Sequence, residues 1–180
     1  MVEALVALPL VLPPTVAGYG LLLLFAAPAA VRIAGALLGH GLAFSFAGLL
    51  VASVLVNVPF AVQPIQTAFA AIPRHVHDAA AVCGMGPWRA FWRIELPLAW
   101  PGVAVAVALT FAHTLGEFGV VLMVGGAIPG VTRTAAIAIY DRQQAGDDAG
   151  AASLSVVLLL IAMAALLLSG RLARRIGRYG

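Results

Sequence analysis

The sequence contains no lysine and little charge of either sign: ten arginines and seven acidic residues make 9% of its 180 residues. A soluble domain is about a quarter charged and about half apolar. This chain is 63% hydrophobic, with a mean hydropathy of +1.06. That is more apolar surface than one soluble core can hide, so the composition excludes an ordinary soluble domain and indicates an integral membrane protein. The single cysteine, Cys83, excludes an internal disulfide and has no metal-ligand spacing around it. Strand-like alternation is missing, which argues against a β-barrel. There is no internal repeat and no low-complexity tract beyond the apolar runs. The N-terminus lacks a positive leader: Glu3 stands where the basic residues of a signal peptide belong, and prolines interrupt the apolar stretch. The net charge of +3 comes from arginines beside apolar runs, which membrane topology explains better than nucleic-acid binding.

What is present is a set of four apolar spans, at about residues 4–26, 41–63, 98–122 and 151–169, within one transmembrane domain over 1–180. Each approaches the ~20 residues a helix needs to cross the hydrocarbon core. The expected fold class is all-α, a polytopic membrane helical bundle. The first span carries Pro9, Pro13, Pro14, Gly18 and Gly20. Proline removes a backbone donor and clashes with the preceding turn. Such breaks survive in lipid only where protein or a water-filled cavity satisfies the freed groups. The first span is therefore expected to be a kinked helix packed inside the bundle.

Arginines set the expected orientation. The 69–97 loop holds Arg74, Arg89 and Arg93, and the tail holds Arg171, Arg174, Arg175 and Arg178. The two other loops hold only Arg32, Arg133 and Arg142. Four spans put the 69–97 loop and the tail on one side, and seven arginines against three make that side the cytoplasm. Both termini are then expected on the cytoplasmic side of a bacterial inner membrane. Asp141, Asp147 and Asp148 fall in the opposite loop.

The cytoplasmic interruption reads "DAAAVCGMGPWRAFWRIELP" at 78–97. Pro73 suits a helix start, and Gly84 a helix stop. Pro87 starts a second short helix, so the stretch reads as helix–turn–helix outside the bilayer. Ala79, Ala80 and Ala81 offer a smooth face for a close protein neighbour, and Trp88, Phe91 and Trp92 suit the membrane interface. An ordinary loop with an interfacial helix fits the same physics. "HVHD" at 75–78 is a poor metal site, because histidines two apart diverge on a helix.

These residues resemble a known family. Asp78-Ala79-Ala80, three residues, Gly84, nine residues, then Ile94, Leu96 and Pro97 match the E-A-A-x3-G-x9-I-x-L-P loop of ABC importer permeases, with Asp78 for the usual Glu. "LPLVLPPTVAGYGLLLL" (8–24) and "LGEFGVVLMVGGAIPGVTRTAAIAIY" (115–140) are similar to the molybdate permeases in particular. Such permeases usually carry another membrane helix upstream, some forty residues this chain lacks, and the chain is expected to assemble without it. Where the family often has Asn in "GNIPG" and Arg before "SLGEFG", this chain has Ala127 and His113.

The resemblance implies a MetI-like permease bundle importing molybdate; tungstate or sulfate is the alternative cargo. It implies a homodimer, two ATP-binding ABC subunits docked on the 78–97 loops, and an extracytoplasmic oxyanion-binding protein. Membrane lipid is the surrounding partner, and no nucleic acid and no cofactor are implied. The chain has no G-x-x-x-x-G-K-[ST] loop, so ATP is hydrolysed by a partner. An intramembrane enzyme and a structural or assembly subunit are the other classes; the H-E-x-x-H and G-x-S-x-G motifs of such enzymes are both missing.

The remaining candidates are polar residues within the spans. His113 and Glu117 are four apart and share one helical face. Charge in the bilayer is costly, so both should face the bundle interior. They either line the pathway or outer gate, or form a structural link between helices. Asn57, Gln63 and Gln66 either line the inner gate or end a helix. Pro13 and Pro14 join Asn57, His113 and Glu117 as candidate pathway residues.

Overall fold

Prolines set the boundaries at the start of the chain. The computed structural model describes residues 2–176, with side chains described for residues 6–171. Helix α1 (Val2–Val11) stops before the Pro13-Pro14 pair, while α2 (Pro14–Ala26) and α3 (Pro28–Leu38) each begin on a proline. Proline suits the first helical position because its missing N–H is an orphan there anyway. The residue before a proline is driven out of the helical region. Pro13 accordingly has ψ 134° and Ala27 ψ 140°, and α2 and α3 are bent 72° apart. The stretch read as one kinked span at 4–26 is therefore two helices. Two successive prolines break a helix where one, Pro9 in α1, is accommodated.

The chain continues through α4 (Phe46–Ala70), α5 (Arg74–Val82), α6 (Pro87–Ala90), a π turn (Phe91–Glu95), α7 (Leu96–Gly116), α8 (Gly119–Gly125), α9 (Ala135–Gln144) and α10 (Asp148–Ile176). No strand occurs among the described residues. Phe46–Ala70, Pro87–Gly116 and Asp148–Arg171 are each long and apolar enough to cross a membrane. The bent pair α2 and α3 makes a fourth if it counts as one span. The expected second short helix is thus the first part of a run reaching from Pro87 to Gly116, because the π turn continues the helix instead of ending it. Of the tail arginines used for orientation, Arg178 lies outside the described residues, as do the side chains of Arg174 and Arg175.

The chain forms two compact units. The first joins the chain up to Pro59 with His113–Ala162. Its core is Phe25 from α2, Ala52 and Val56 from α4, and Val120 and Val124 from α8. Two glycines let backbones approach. A Cβ on Gly18 would lie 2.8 Å from the Cβ of Met123, and one on Gly119 would lie 2.7 Å from the Cβ of Pro14. Small residues at such contacts are how helices pack where lipid removes the hydrophobic drive between them. The opposite face of α2, with Tyr19, Leu23 and Leu24, is exposed in this chain. The enclosure expected of the first span holds on one face only.

The second unit joins Phe60–Ala112 with the chain from Met163. Its buried positions are alanines: Ala80, Ala90, Ala99, Ala104, Ala106 and Ala108. Phe69 stacks on Phe91 with ring centroids 5.8 Å apart and planes within 4°. Trp88 and Trp92, 74% and 53% exposed, flank that pair.

Candidate functional sites: a docking turn and a polar helix break

The first site is the turn after α5, in the second unit. Gly84 has φ +70°, which L side chains rarely adopt. Its N–H donates to Ala81 O at 2.9 Å, and the Met85 N–H donates to Ala80 O at 3.0 Å. This is the six-to-one and five-to-two pairing of a Schellman end, and it satisfies carbonyls that the helix leaves orphaned. The reversal is thus built by backbone alone, which leaves the side chains of α5 free for other contacts.

Those side chains divide sharply. Ala80 is buried, at 4% exposure, whereas Asp78, Ala79, Ala81, Cys83 and Gly84 are exposed. The smooth alanine face read from the sequence is therefore split, because Ala80 turns inward. Val82 is 88% exposed, the barest of the large apolar residues among those described. Sequence reading passed over it, since one valine in an apolar chain carries no signal until its surroundings are known. Ile94 and Leu96 are half-buried and Pro97 is exposed. His77 Nδ1 lies 3.1 Å from Glu95 Oε1 and bridges α5 to the π turn; the sequence reading gave neither residue a role.

The second site surrounds the break between α7 and α8, in the first unit. Ser53 and Asn57 are one turn apart on α4 and both are buried. A carbonyl only accepts, so the Asn57 amide must turn its NH2 to Ser53 O, at 2.8 Å. This leaves Asn57 Oδ1 toward His113 Nδ1 at 3.1 Å, so His113 carries its proton on Nδ1 in that bond. The bond joins α4 to α7 across 56 residues of sequence.

Glu117 sits in the break and is 6% exposed. Its Oε1 accepts the Val120 N–H at 3.0 Å, capping α8 where backbone donors would otherwise be orphaned. Its Oε2 is 3.9 Å from His113 Nε2, too far for a hydrogen bond. Pro14 lies against Gly119 at the start of α8, and Pro13 O accepts from Val16 and Ala17 to start α2. Asn57, His113, Glu117 and Pro14 thus gather around the break. Pro13 and Pro14 are both exposed, and so are Gln63 and Gln66 on α4. One carboxylate oxygen of buried Glu117 is thus engaged by the backbone at the start of α8.

One departure from the family pattern falls in the loop after α8. Thr132 is buried, donates to Gly125 O at 2.6 Å and accepts from the Ile128 N–H at 2.9 Å. The loop it closes holds Ala127 at φ +58°. Asn tolerates that region far better than Ala, so the usual Asn answers a backbone demand. Farther on, Asp147 starts α10 by accepting from the Gly150 N–H at 2.9 Å and from Arg142 at 2.7 Å. The backbone donor first, and the guanidinium next, hold its carboxyl below the ordinary carboxylate range.

Comparison with known proteins agrees with this architecture. The family described as "Binding-protein-dependent transport system inner membrane component" matches residues 2–178. The molybdenum transport system permease protein ModB of Azotobacter vinelandii is 50% identical over 151 residues, covering 83% of this chain and 67% of that protein. ModB of Escherichia coli K12 is 38% identical over 179 residues, covering 97% of this chain and 77% of that protein. A probable sulfate transport system permease protein of Chlorokybus atmophyticus is 32% identical over 163 residues, covering 91% and 57%. The fold also matches a crystal structure of a bacterial ABC transporter involved in the import of the acidic polysaccharide alginate. That match has a TM-score of 0.71 at 18% identity, covering 97% of this chain and 65% of that one. The chain therefore spans about two thirds of the alginate importer chain and of the Azotobacter protein, and rather more of the Escherichia coli protein. With apolar helices long enough for several crossings and a match over nearly its whole length, this chain is a multi-pass membrane transport component and belongs to the family of inner-membrane components of binding-protein-dependent transport systems.

Proposed function

We propose that this chain is the permease subunit of an ATP-driven importer of molybdate, working as a homodimer with two ATPase subunits and an extracytoplasmic binding protein. The observation that carries the reading is the exposed docking turn. Asp78, Ala79, Val82 and Gly84 present an open surface beside a backbone-built reversal. An apolar side chain as bare as Val82 suits burial by a partner. Buried Ala80 and half-buried Ile94 and Leu96 support the turn, and Pro97 is exposed beside them. Two copies of the chain supply two such turns, and closure of the ATPases would draw them together and open the bundle outward. Identity favours molybdate over sulfate, at 50% and 38% against 32%.

The test is uptake of radiolabelled molybdate into proteoliposomes holding the permease, its ATPase and its binding protein. ATP-dependent uptake that excess sulfate does not displace is expected. Sulfate uptake in place of molybdate would overturn the cargo assignment, and ATP-independent uptake would overturn the mechanism.

The orientation belongs to the same proposal: the docking turn and both termini face the cytoplasm, and the loop before α10 faces out. In a Cys83→Ser background, a cysteine replacing Asp148 should react with an impermeant thiol reagent added outside. One replacing Arg74 should be shielded. The reverse pattern would invert the topology.

A further inference from the structure

The His77–Glu95 pair has a geometry that a surface ion pair does not need. It joins residues 18 apart in sequence across the docking turn, with Nδ1 and Oε1 3.1 Å apart and side chains 45% and 23% exposed. His77 and Ala80 are one turn apart and so share a face of α5. Ala80 is the buried residue on that face and offers only a methyl group. A methyl contact is smooth and does not fix direction, whereas a hydrogen bond does. The polar pair therefore adds a directional tie between α5 and the π turn, beside the backbone bonds that build the reversal itself.

The far end of the link is as informative. Glu95 closes the π turn Phe91–Glu95, where the Leu96 N–H reaches back five residues to Phe91 O. π turns carry one residue too many for the α register and recur where helices must rearrange. Restoring α register there needs a local shift of hydrogen bonds, not unfolding of the helix. A pull on His77 thus arrives at the one π turn among the described residues.

We infer that His77 and Glu95 form a strut that transmits movement of the docking helix α5 into the helix entering the membrane, so that both are positioning residues for coupling ATP hydrolysis to transport. This rests on the docking reading proposed above. Exposed pairs add little to stability, so cutting the strut should leave the protein assembled.

The experiment compares His77→Ala, Glu95→Ala and the double variant in the reconstituted importer, reading ATPase co-purification and molybdate moved per ATP hydrolysed. The conservative variants His77→Asn, which keeps a donor near the place of Nδ1, and Glu95→Gln, which keeps an oxygen acceptor, serve as rescues. The alanine variants should retain the ATPase while transport per ATP falls roughly fivefold, the upper end of what one exposed pair contributes. The double variant should be no worse than either single, as expected when both remove one interaction. The conservative variants should couple within about twofold of the unaltered protein. Unchanged transport per ATP in the alanine variants, or single effects that multiply in the double, would overturn the strut. So would failure of the alanine variants to assemble, which would make the pair merely structural. If the unaltered permease retains no ATPase, the docking reading itself has failed; if it retains the ATPase and the variants stay coupled, only the strut has.

Discussion

Replacing Gly84 with tryptophan is expected to reduce uptake by about tenfold or more while leaving the protein in the membrane. Nothing lies within 4 Å of where a Cβ on Gly84 would stand, so the ring has room in the isolated chain. The harm falls on whatever approaches from outside. Bulk forced into a packed contact costs about 1–3 kcal/mol, which is roughly fivefold to a little over a hundredfold in affinity. The positive φ of Gly84 adds a separate cost of about 1–2 kcal/mol for an ordinary L residue. Gly84→Asn separates the two effects, because asparagine tolerates the left-handed region and is small. Gly84→Asn should keep both the ATPase and uptake, and Gly84→Trp should lose both. Normal uptake with normal ATPase co-purification for Gly84→Trp would count decisively against docking at this turn.

The second large effect is expected at Glu117. Glu117→Ala removes the acceptor for the Val120 N–H, and Val120 is fully buried. An unsatisfied buried donor costs about 1–3 kcal/mol, and more where no water can reach it. Loss of monodisperse protein in detergent and of uptake is expected together. Glu117→Gln keeps an oxygen of the same reach and gives up only the charge. It should restore both assembly and most of the uptake, because the bond to Val120 is one that an amide oxygen also makes. A Glu117→Gln protein that assembles normally but does not transport would instead put the carboxylate charge on the pathway. These two outcomes separate the readings that the sequence leaves open for His113 and Glu117.

Both predictions depend on local detail that is legible in the sequence to different degrees. Gly84 is legible because the need for a left-handed helix end is a backbone matter, and only glycine meets it without cost. Glu117 is legible as an anomaly, a charge inside an apolar run, but its partner is not. The acceptor could face a ligand, a histidine or a backbone donor, and the sequence does not distinguish among them. The break after Gly116 supplies one partner, since a new helix start nearby presents orphan N–H groups and Val120 donates to Glu117. Asn57 and His113 were likewise singled out separately, while their pairing belongs to the approach of α4 and α7.

By itself the sequence determined the class of protein, the all-helical fold and the approximate number of apolar spans, although the first and third spans differ from their expected bounds by about ten residues. These follow from apolar run length, proline and glycine chemistry and fixed spacing, all of them local along the chain. Tertiary structure alone decided which face of each helix is covered. Ala80 and Ala81 are neighbours of one residue type, yet one is buried and the other exposed. Val82 resembles every other valine in the sequence until its bare surroundings are seen. The link from His77 to Glu95 spans a turn whose geometry no spacing rule encodes. Burial and pairing depend on contacts between segments remote in sequence, and those contacts exist only once the chain has folded.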